Sequence, residues 1–392
     1  MRLLKTLGLY DRLMLIESKF ESVAEKFYSL TSEQPYGGAC LAVYQDGAPV
    51  IDIWAGEARP GVQWSESTKS VVFSTSKGLL SILVHQLIQE GLIDPDEKVS
   101  TYWPEFAANR KENVTVAMIM RHRSGLSAVR EDLTFADLQS VIPVENALAN
   151  QKPIWEPDTG YLYHAGTIGQ LLGKIIFNVT GMRVNELLQA KIAHPLSVEA
   201  WYGIPSEVEK DMSFLKSDDA PLNASPVIES PEYWNIRAMT YGNAFRGHVD
   251  DFEGGYNDPR THALEHAGAG GITNARSVAK IYSSVVCETD GVRLLSDETI
   301  MKAISRPNPG PNIFGDPAPY PIHSLGFIVA NPVHSPVLSP RTFGHDGLGG
   351  QQGFADLDHR IGFSYVTNWI PMVKDGMARH REITKVLAEV LK

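Results

Sequence analysis

Ser74-Thr75-Ser76-Lys77 sets a hydroxyl and an amine three residues apart, directly ahead of the apolar run Gly78-Leu79-Leu80-Ser81-Ile82-Leu83-Val84. On a helix, residues i and i+3 share one face, so this spacing brings the two groups together. The run behind them is apolar nearly all round, which predicts a buried helix. Burial strips water from an ammonium and lowers its pKa, and a neutral lysine beside a serine can take the serine's proton. A helix N-terminus adds N–H groups that favour developing negative charge. The pattern is that of a serine nucleophile with a lysine base, the catalytic helix of a serine hydrolase.

The same tetrapeptide spacing recurs at Ser213-Phe214-Leu215-Lys216 and at Ser277-Val278-Ala279-Lys280. Ser213 runs into the polar turn Ser217-Asp218-Asp219-Ala220-Pro221, with no buried helix to hold it. Ser277 falls inside an amphipathic helix expected over 273–286, where its hydroxyl meets helix interior and not a free N-terminus. Only Ser74 has a strand-like run before it, Ser70-Val71-Val72-Phe73, and a buried helix after it. The two other serines are expected to be structural.

Two further constellations carry chemistry. In Gly160-Tyr161-Leu162-Tyr163-His164-Ala165, between the turn Glu156-Pro157-Asp158-Thr159 and a helix from Gly166, Tyr163 can relay a proton if a cation such as Lys77 lies near it. Tyr161 is the competing tyrosine, and packing under the next helix is the plain alternative for either. Gly344-His345-Asp346-Gly347-Leu348-Gly349-Gly350 leads into the strand-like Gly353-Phe354-Ala355. Its glycines let a strand edge approach a ligand, and a backbone N–H there can face an oxyanion. A third motif, His262-Ala263-Leu264-Glu265-His266, matches the inverted zinc-peptidase pattern. Asp258-Pro259 before it and Gly268-Ala269-Gly270-Gly271 after it leave too little helix for two aligned ligands. Surface histidines are the expectation, with no metal and no cofactor.

The elements that must position these residues follow from periodicity. A helix is expected over 11–30, then strands Cys40–Gln45 and Val50–Trp54 joined by the hairpin turn Asp46-Gly47. The Ser74 helix should end at Gly91. A helical, loop-rich middle runs from Asp94 to Leu196, with helices over 116–122 and 165–179. Residues 205–258 read as irregular. Strands return at 325–330, 353–358 and 362–367, and a helix over 376–391 closes the chain. Strands at both ends with helices between them imply one sheet built from the two ends.

Composition bounds the class. The 392 residues are 43% hydrophobic, enough for a large core in two lobes. A net charge of -11 with no basic cluster argues against nucleic acid or an anionic membrane as partner, and no apolar run is long enough to span a bilayer. Cys40 and Cys287 sit in apolar settings and read as buried thiols. Met1-Arg2-Leu3-Leu4-Lys5 opens like a secretory leader, but Asp11, Arg12 and Glu17 interrupt any apolar region, so the expectation is a cytoplasmic protein. Nothing in the residues fixes an oligomeric state.

Taken in order, the motifs resemble those of class C β-lactamases and penicillin-binding proteins: Ser74-x-x-Lys77, Tyr163-x-Ala165 and His345-x-Gly347 stand where that superfamily has Ser-x-x-Lys, Tyr-x-Asn and Lys-Thr-Gly. His122-Arg123-Ser124-Gly125-Leu126, Glu156-Pro157-Asp158-Thr159 and Gly268-Ala269-Gly270-Gly271-Ile272-Thr273-Asn274-Ala275 support the likeness, which runs from residue 15 to 391. Within the superfamily the chain looks most like the family VIII carboxylesterases, which often carry Tyr-His-Ala and His-x-Gly variants of the second and third motifs. The resemblance implies an α/β (α+β) class, serine β-lactamase-like fold: an antiparallel sheet from N- and C-terminal strands, flanked by helices, with an inserted mainly helical lobe. As one catalytic unit, it would have an α/β lobe of about 1–75 and 270–392 and a helical lobe of about 76–269. It also implies roles. Ser74 attacks, Lys77 and Tyr163 share its proton, the N–H groups of Ser74 and Leu348 hold the oxyanion, and His345 polarises or positions the substrate or Tyr163. Gly347 borders the substrate. By their aromatic character, Tyr233, Trp234, Tyr241 and Phe245 of the irregular segment are candidates to wall the acyl or alcohol pocket, with plain core packing as the equal alternative for each.

Two departures direct the substrate expectation. Ala165 replaces the asparagine that would hold a lactam amide, and His345 replaces the lysine that would pair with the lactam carboxylate. An ordinary histidine is mostly uncharged at pH 7. The expected activity is hydrolysis of small-molecule, short-chain or small-acyl esters. β-Lactamase or D-alanyl-D-alanine peptidase activity, acyl transfer to an alcohol, and a silent binding homologue are the alternatives. An α/β-hydrolase has no anchor, since Gly125-Leu126-Ser127-Ala128-Val129 fails at its last glycine.

Overall fold

The structure, a computed structural model, describes residues 14–218, 227–245, 248–308, 310–317, 320–331, 337–371 and 378–392. Its principal elements in chain order are helix α1 (Glu21–Glu33), strands β1 (Gly38–Gln45) and β2 (Ala48–Arg59), and helices α2 (Ser76–Gln89), α3 (Thr167–Thr180), α4 (Pro231–Thr240) and α5 (Ala275–Val286). Strands β3 (Thr342–Gly347), β4 (Gln351–Asp356) and β5 (Ile361–Thr367) and helix α6 (Ala378–Leu391) complete the chain.

Alternation along β1 sorts the core into layers, because successive strand side chains leave opposite faces. Ala39, Leu41 and Val43 join Val23, Ala24 and Phe27 of α1 and Ile383 and Leu387 of α6. Cys40, Ala42 and Tyr44 join Ala275 and Ala279 of α5 on the other face. Among the described residues the sheet has eight antiparallel strands, in the order Leu15–Ile16, β2, β1, β5, β4, β3, Ile328–Val329, with Val62–Gln63 added to β2. The join between early and late strands is β1 on β5, from Gln45 opposite Ile361 to Ala39 opposite Thr367. Helix α5 packs closely on Gly362 of β5, where a Cβ would lie 2.2 Å from the Ala279 carbonyl oxygen. Helices α2 and α3 share a larger core through Leu79, Leu80, Leu83, Ile168, Leu171 and Ile175. A small sheet, Ser70–Val71 on Gly271–Thr273 on Ala200–Tyr202, ties the segment before α2 to the helical part. Among the described residues no helix is long and apolar enough to cross a membrane. Cys40 and Cys287 are buried free thiols.

The structure corrects four expectations. The first helix begins at Glu21, because Leu15 and Ile16 pair with Asp52 and Ile51 at the sheet edge; residues 11–13 lie outside the described residues. The stretch 205–258 contains α4, announced by Ser230, which accepts from the Tyr233 N–H at 3.1 Å, and by Pro231 at the first helical position. The strand at 325–330 shrinks to Ile328–Val329, since Gly326 takes φ +80° and breaks the extension. Finally, Thr342–Gly347, which the expected strands at 325–330, 353–358 and 362–367 leave out, is a full strand hydrogen-bonded to β4 through its whole length.

Phe27 is buried and meets Tyr365 edge-on at 6.3 Å. Phe27→Ala should lower the unfolding free energy by about 3–5 kcal/mol in denaturant melts. Exposed Ser29→Ala on the same helix should change it by less than about 0.5 kcal/mol. Equal effects from the two would contradict this layered packing.

Candidate active site

Ser74 stands on the turn that opens α2. Phe73 before it takes φ +45°, a left-handed conformation that is uncommon for a bulky residue and a mark of local strain. The helix proper starts at Ser76, two residues later than a literal reading of the motif, and the Lys77 N–H closes the first turn on the Ser74 carbonyl at 3.0 Å. From Ser70 to Leu87 every residue except Ser74 is buried. The fold hides this stretch of strand and helix and leaves one hydroxyl facing a cavity.

Lys77 is 1% exposed. Its Nζ lies 3.0 Å from Ser74 Oγ, 2.7 Å from the Ala165 carbonyl oxygen and 2.6 Å from the Gly268 carbonyl oxygen. A protonated lysine would donate to all three. A neutral one has two N–H groups for the two carbonyls and a lone pair left for the Ser74 hydroxyl proton. Burial pulls its pKa down to about 7, with the Asp346 carboxylate pulling the other way. The amine is therefore poised between the two forms near neutral pH.

Tyr163 comes from the loop before α3. Its hydroxyl is hydrogen-bonded to Ser74, and its ring lies under Lys77, 4.7 Å from Nζ to the centroid. Burial pushes its pKa far up, so it is a phenol despite the Lys77 amine beside it. The loop is held by a residue that the supporting motif contains but to which it gives no role. His122, itself at φ +59°, accepts the His164 N–H on Nδ1 at 3.1 Å, and its carbonyl accepts the Leu162 N–H at 3.0 Å. The backbone N–H groups of the residues on either side of Tyr163 are thus tied to one histidine. His164 donates Nδ1–H to the Leu162 carbonyl and accepts from Ser124 Oγ on Nε2, each at 2.7 Å. His323, with no sequence signal, packs its ring against His122 at 4.7 Å and Tyr163 at 5.4 Å. Burial holds His122 and His164 below the ordinary imidazole range.

β3 forms the facing wall. The ring of His345 is 6.1 Å from that of Tyr163. Its Nδ1–H donates to the Asp346 carbonyl at 2.7 Å, so Nε2 carries the lone pair. Burial, then Lys77, then His323 lower its pKa well below normal, and it supplies no fixed cation. Gly347 must be glycine, since a Cβ would lie 2.4 Å from the Val72 carbonyl and 3.0 Å from Thr75 Oγ1. That close approach sets Leu348 beside the nucleophile's strand.

A cavity of about 570 Å³ opens onto Ser74, bordered by Tyr163, His345, Gly347 and Leu348 near the hydroxyl and by Tyr241, Phe245, Tyr256 and His266 further out. Tyr241 and Phe245 are where the sequence places them. Tyr233 and Trp234 are not on this wall. The last turn of α4 presents Ala238, Met239 and Thr240 to the cavity, while Trp234 packs behind it on Ala128 and Ala165, under the Arg130 guanidinium. Tyr161 borders the cavity but spends its hydroxyl on the Gly310 carbonyl at 3.3 Å.

The rival motifs resolve differently from one another. Ser213 is buried on the edge of a loop. Ser277 is in the first turn of α5 and not its interior, but its Oγ takes the Glu199 N–H at 3.0 Å, and Lys280 is paired with Asp290 at 2.6 Å. The helix Pro259–His262 ends on its first histidine, which is buried and bonded to the Glu209 carboxylate at 2.9 Å; His266 is also buried, stacked with Phe245. The expectation of surface histidines is corrected on both counts. They do not share a helix face. Among the described residues no group of three or more metal-ligating side chains is gathered.

Fold and site together define a serine hydrolase on a mixed sheet-and-helix frame. The chain belongs to the Beta-lactamase family, whose model matches residues 23–388. It is 31% identical over 379 residues to the Esterase/beta-lactamase LipL of Mycobacterium tuberculosis, covering 90% of this chain and 82% of that one. Among solved structures, a family VIII carboxylesterase superposes with TM-score 0.82 at 28% identity, covering 95% of this chain and 98% of the other. EstA from Arthrobacter nitroguajacolicus Rue61a does so with TM-score 0.82 at 26% identity, covering 96% and 98%.

The Lys77 amine should titrate near pH 7 when followed by its 13Cε or 15Nζ shift, against 10.5 for a free side chain. A midpoint above about 9 would mean the amine is solvated and not enclosed.

Proposed function

We propose that this protein hydrolyses short-chain or small-acyl esters through an acyl-enzyme on Ser74. The observation that carries the reading is the enclosed Lys77 amine, 3.0 Å from Ser74 Oγ, in an otherwise buried segment whose Ser74 borders the cavity. Names borne by similar proteins, a family VIII carboxylesterase and an esterase/beta-lactamase, agree with it.

In this mechanism neutral Lys77 takes the Ser74 proton as Oγ attacks the ester carbonyl carbon. The backbone N–H groups of Ser74 and Leu348 hold the resulting oxyanion, which is electrostatic stabilisation by donors fixed before the reaction. The intermediate collapses by breaking the bond to the alcohol oxygen. Tyr163, a phenol hydrogen-bonded to Ser74, passes its proton to the leaving alkoxide and is refilled from the Lys77 ammonium. Water then attacks the acyl carbon, giving its proton back through the same pair, and Ser74 leaves with a proton restored. His345 positions Tyr163 and shapes the wall; as a neutral ring it does not anchor a carboxylate.

Because the base must be neutral, kcat/KM should rise with pH through about 7 and level off above it. Lys77→Arg should remove nearly all turnover, since guanidinium keeps its proton. Retention of most of the wild-type rate would transfer the base role to another group.

Nitrophenyl acetate and butyrate should be hydrolysed, and a chromogenic cephalosporin turned over far more slowly, because Ala165 and His345 offer a lactam neither amide nor cation. Ser74→Ala should lower kcat at least about a thousandfold, with Ser213→Ala and Ser277→Ala close to wild type. Cephalosporin hydrolysis on a par with esters would reverse the substrate assignment.

A further inference from the structure

The cavity has a one-sided charge that the acyl-transfer steps leave unused. Asp346, at the end of β3 between His345 and Gly347, borders the cavity with 17% of its side chain exposed. Asp316 borders it at the exposed rim, its carboxylate held by Asn312 Nδ2 at 2.6 Å. No lysine or arginine is among the described residues on that wall. Two of its histidines, His266 and His345, are kept neutral by burial. Both fixed charges a substrate meets are therefore negative.

We propose that Asp346 selects substrates by charge, admitting esters that are neutral or bear an amine and turning away esters that bear a carboxylate. The inference rests on the esterase reading of Ser74 and goes beyond it to the class of ester. Groups facing Asp346 come from four elements: Lys77 on α2, Tyr163 on the loop before α3, His345 on its own strand and Arg381 on α6. Lys77 reacts only when neutral, so it offers a substrate carboxylate no partner at the moment of attack. Arg381 lies outside the cavity wall, where it draws the Asp346 pKa down without presenting its charge to the substrate. Burial works the other way and brings the carboxyl up to about 6, so it is ionised at pH 7 to 8 and loses its charge below pH 6. A substrate carboxylate entering here would lose water and meet no lysine or arginine among the described residues of the wall, whereas an ammonium would gain a charge-assisted hydrogen bond to Asp346.

The test uses three nitrophenyl esters of matched length: hexanoate, the monoester of adipate with one free carboxylate, and 6-aminohexanoate. At pH 8 the wild type should hydrolyse the adipate ester at least about tenfold less efficiently than the hexanoate in kcat/KM, with the amine ester equal to or better than hexanoate. Asp346→Asn should raise the adipate-to-hexanoate ratio at least about fivefold and lower the amine-to-hexanoate ratio. Ratios within one enzyme cancel whatever the substitution does to Lys77. In the wild type the adipate-to-hexanoate ratio should also climb as pH falls from 8 to 5.5, and in the variant it should not. If hexanoate is hydrolysed but the ratios ignore both the substitution and pH, charge selection is wrong and the esterase reading stands. If none of the three esters is turned over, the esterase reading falls and takes the inference with it. Should Asp346→Asn fail to fold, the wild-type pH dependence of the ratio decides alone.

Discussion

An amine that is 1% exposed must find all its hydrogen-bond partners inside the protein, and much of this molecule is arranged around that demand. Two of the partners are main-chain carbonyls, at Ala165 and Gly268, from segments 88 and 191 residues away from Lys77. Because the backbone does the work, the side chains there need only be small. Gly268 has no room for more, since a Cβ would lie 2.4 Å from the Gly166 carbonyl oxygen. The third partner is Ser74. The loop before α3, the loop before Gly271 and the start of α2 are thus held against one nitrogen. Burial alone explains why that nitrogen is half deprotonated near neutral pH, whereas a solvated lysine would be almost wholly charged.

Around this group lies a layer of rings that also avoid charge. Tyr163 stays protonated, and His122, His164 and His345 stay neutral, all chiefly through burial. Each neutral imidazole has one donor and one acceptor, so each can fix a geometry without adding a field. His122 uses its acceptor and its own carbonyl to hold the N–H groups of Leu162 and His164, the residues on either side of Tyr163. The exception is Asp346, whose carboxylate meets the cavity, and the contrast with its surroundings gives it leverage over what enters.

Much of this was legible in the residues. Ser74 and Lys77 followed from spacing and from the apolar run behind them, and the hairpin β1–β2 from the Asp46-Gly47 turn between two strand-like runs. What eluded the sequence depended on partners distant along the chain. Leu15 and Ile16 look helical until β2 lies beside them. Thr342 to Gly347 does not stand out as a full strand until β4 supplies hydrogen bonds, because two glycines mask its strand character. Tyr233 and Trp234 were placed on the wall by their aromatic character, yet which side of α4 faces the cavity is decided by tertiary packing. His122 stood in a quoted motif, but its grip on the Tyr163 loop requires coordinates, and His323 had no pattern to mark it. The Ser230-Pro231 start of α4 was readable by capping rules and was outweighed by the irregular composition around it.

The seam between β1 and β5 has a kinetic consequence. Residues 39–45 pair with residues 361–367, so the middle of the sheet cannot close until more than three hundred residues have been made. Contacts this far apart in sequence form late and slowly, because a very long loop must be closed first. During synthesis the hairpin β1–β2 holds a bare inner edge, with Leu41 and Val43 on one side and Cys40 and Tyr44 on the other awaiting cover from α5 and α6. An edge of that kind invites pairing with other chains. The arrangement that places late strand β3 against the early nucleophile thus leaves the nascent chain dependent on something to shield it until its own last strands arrive.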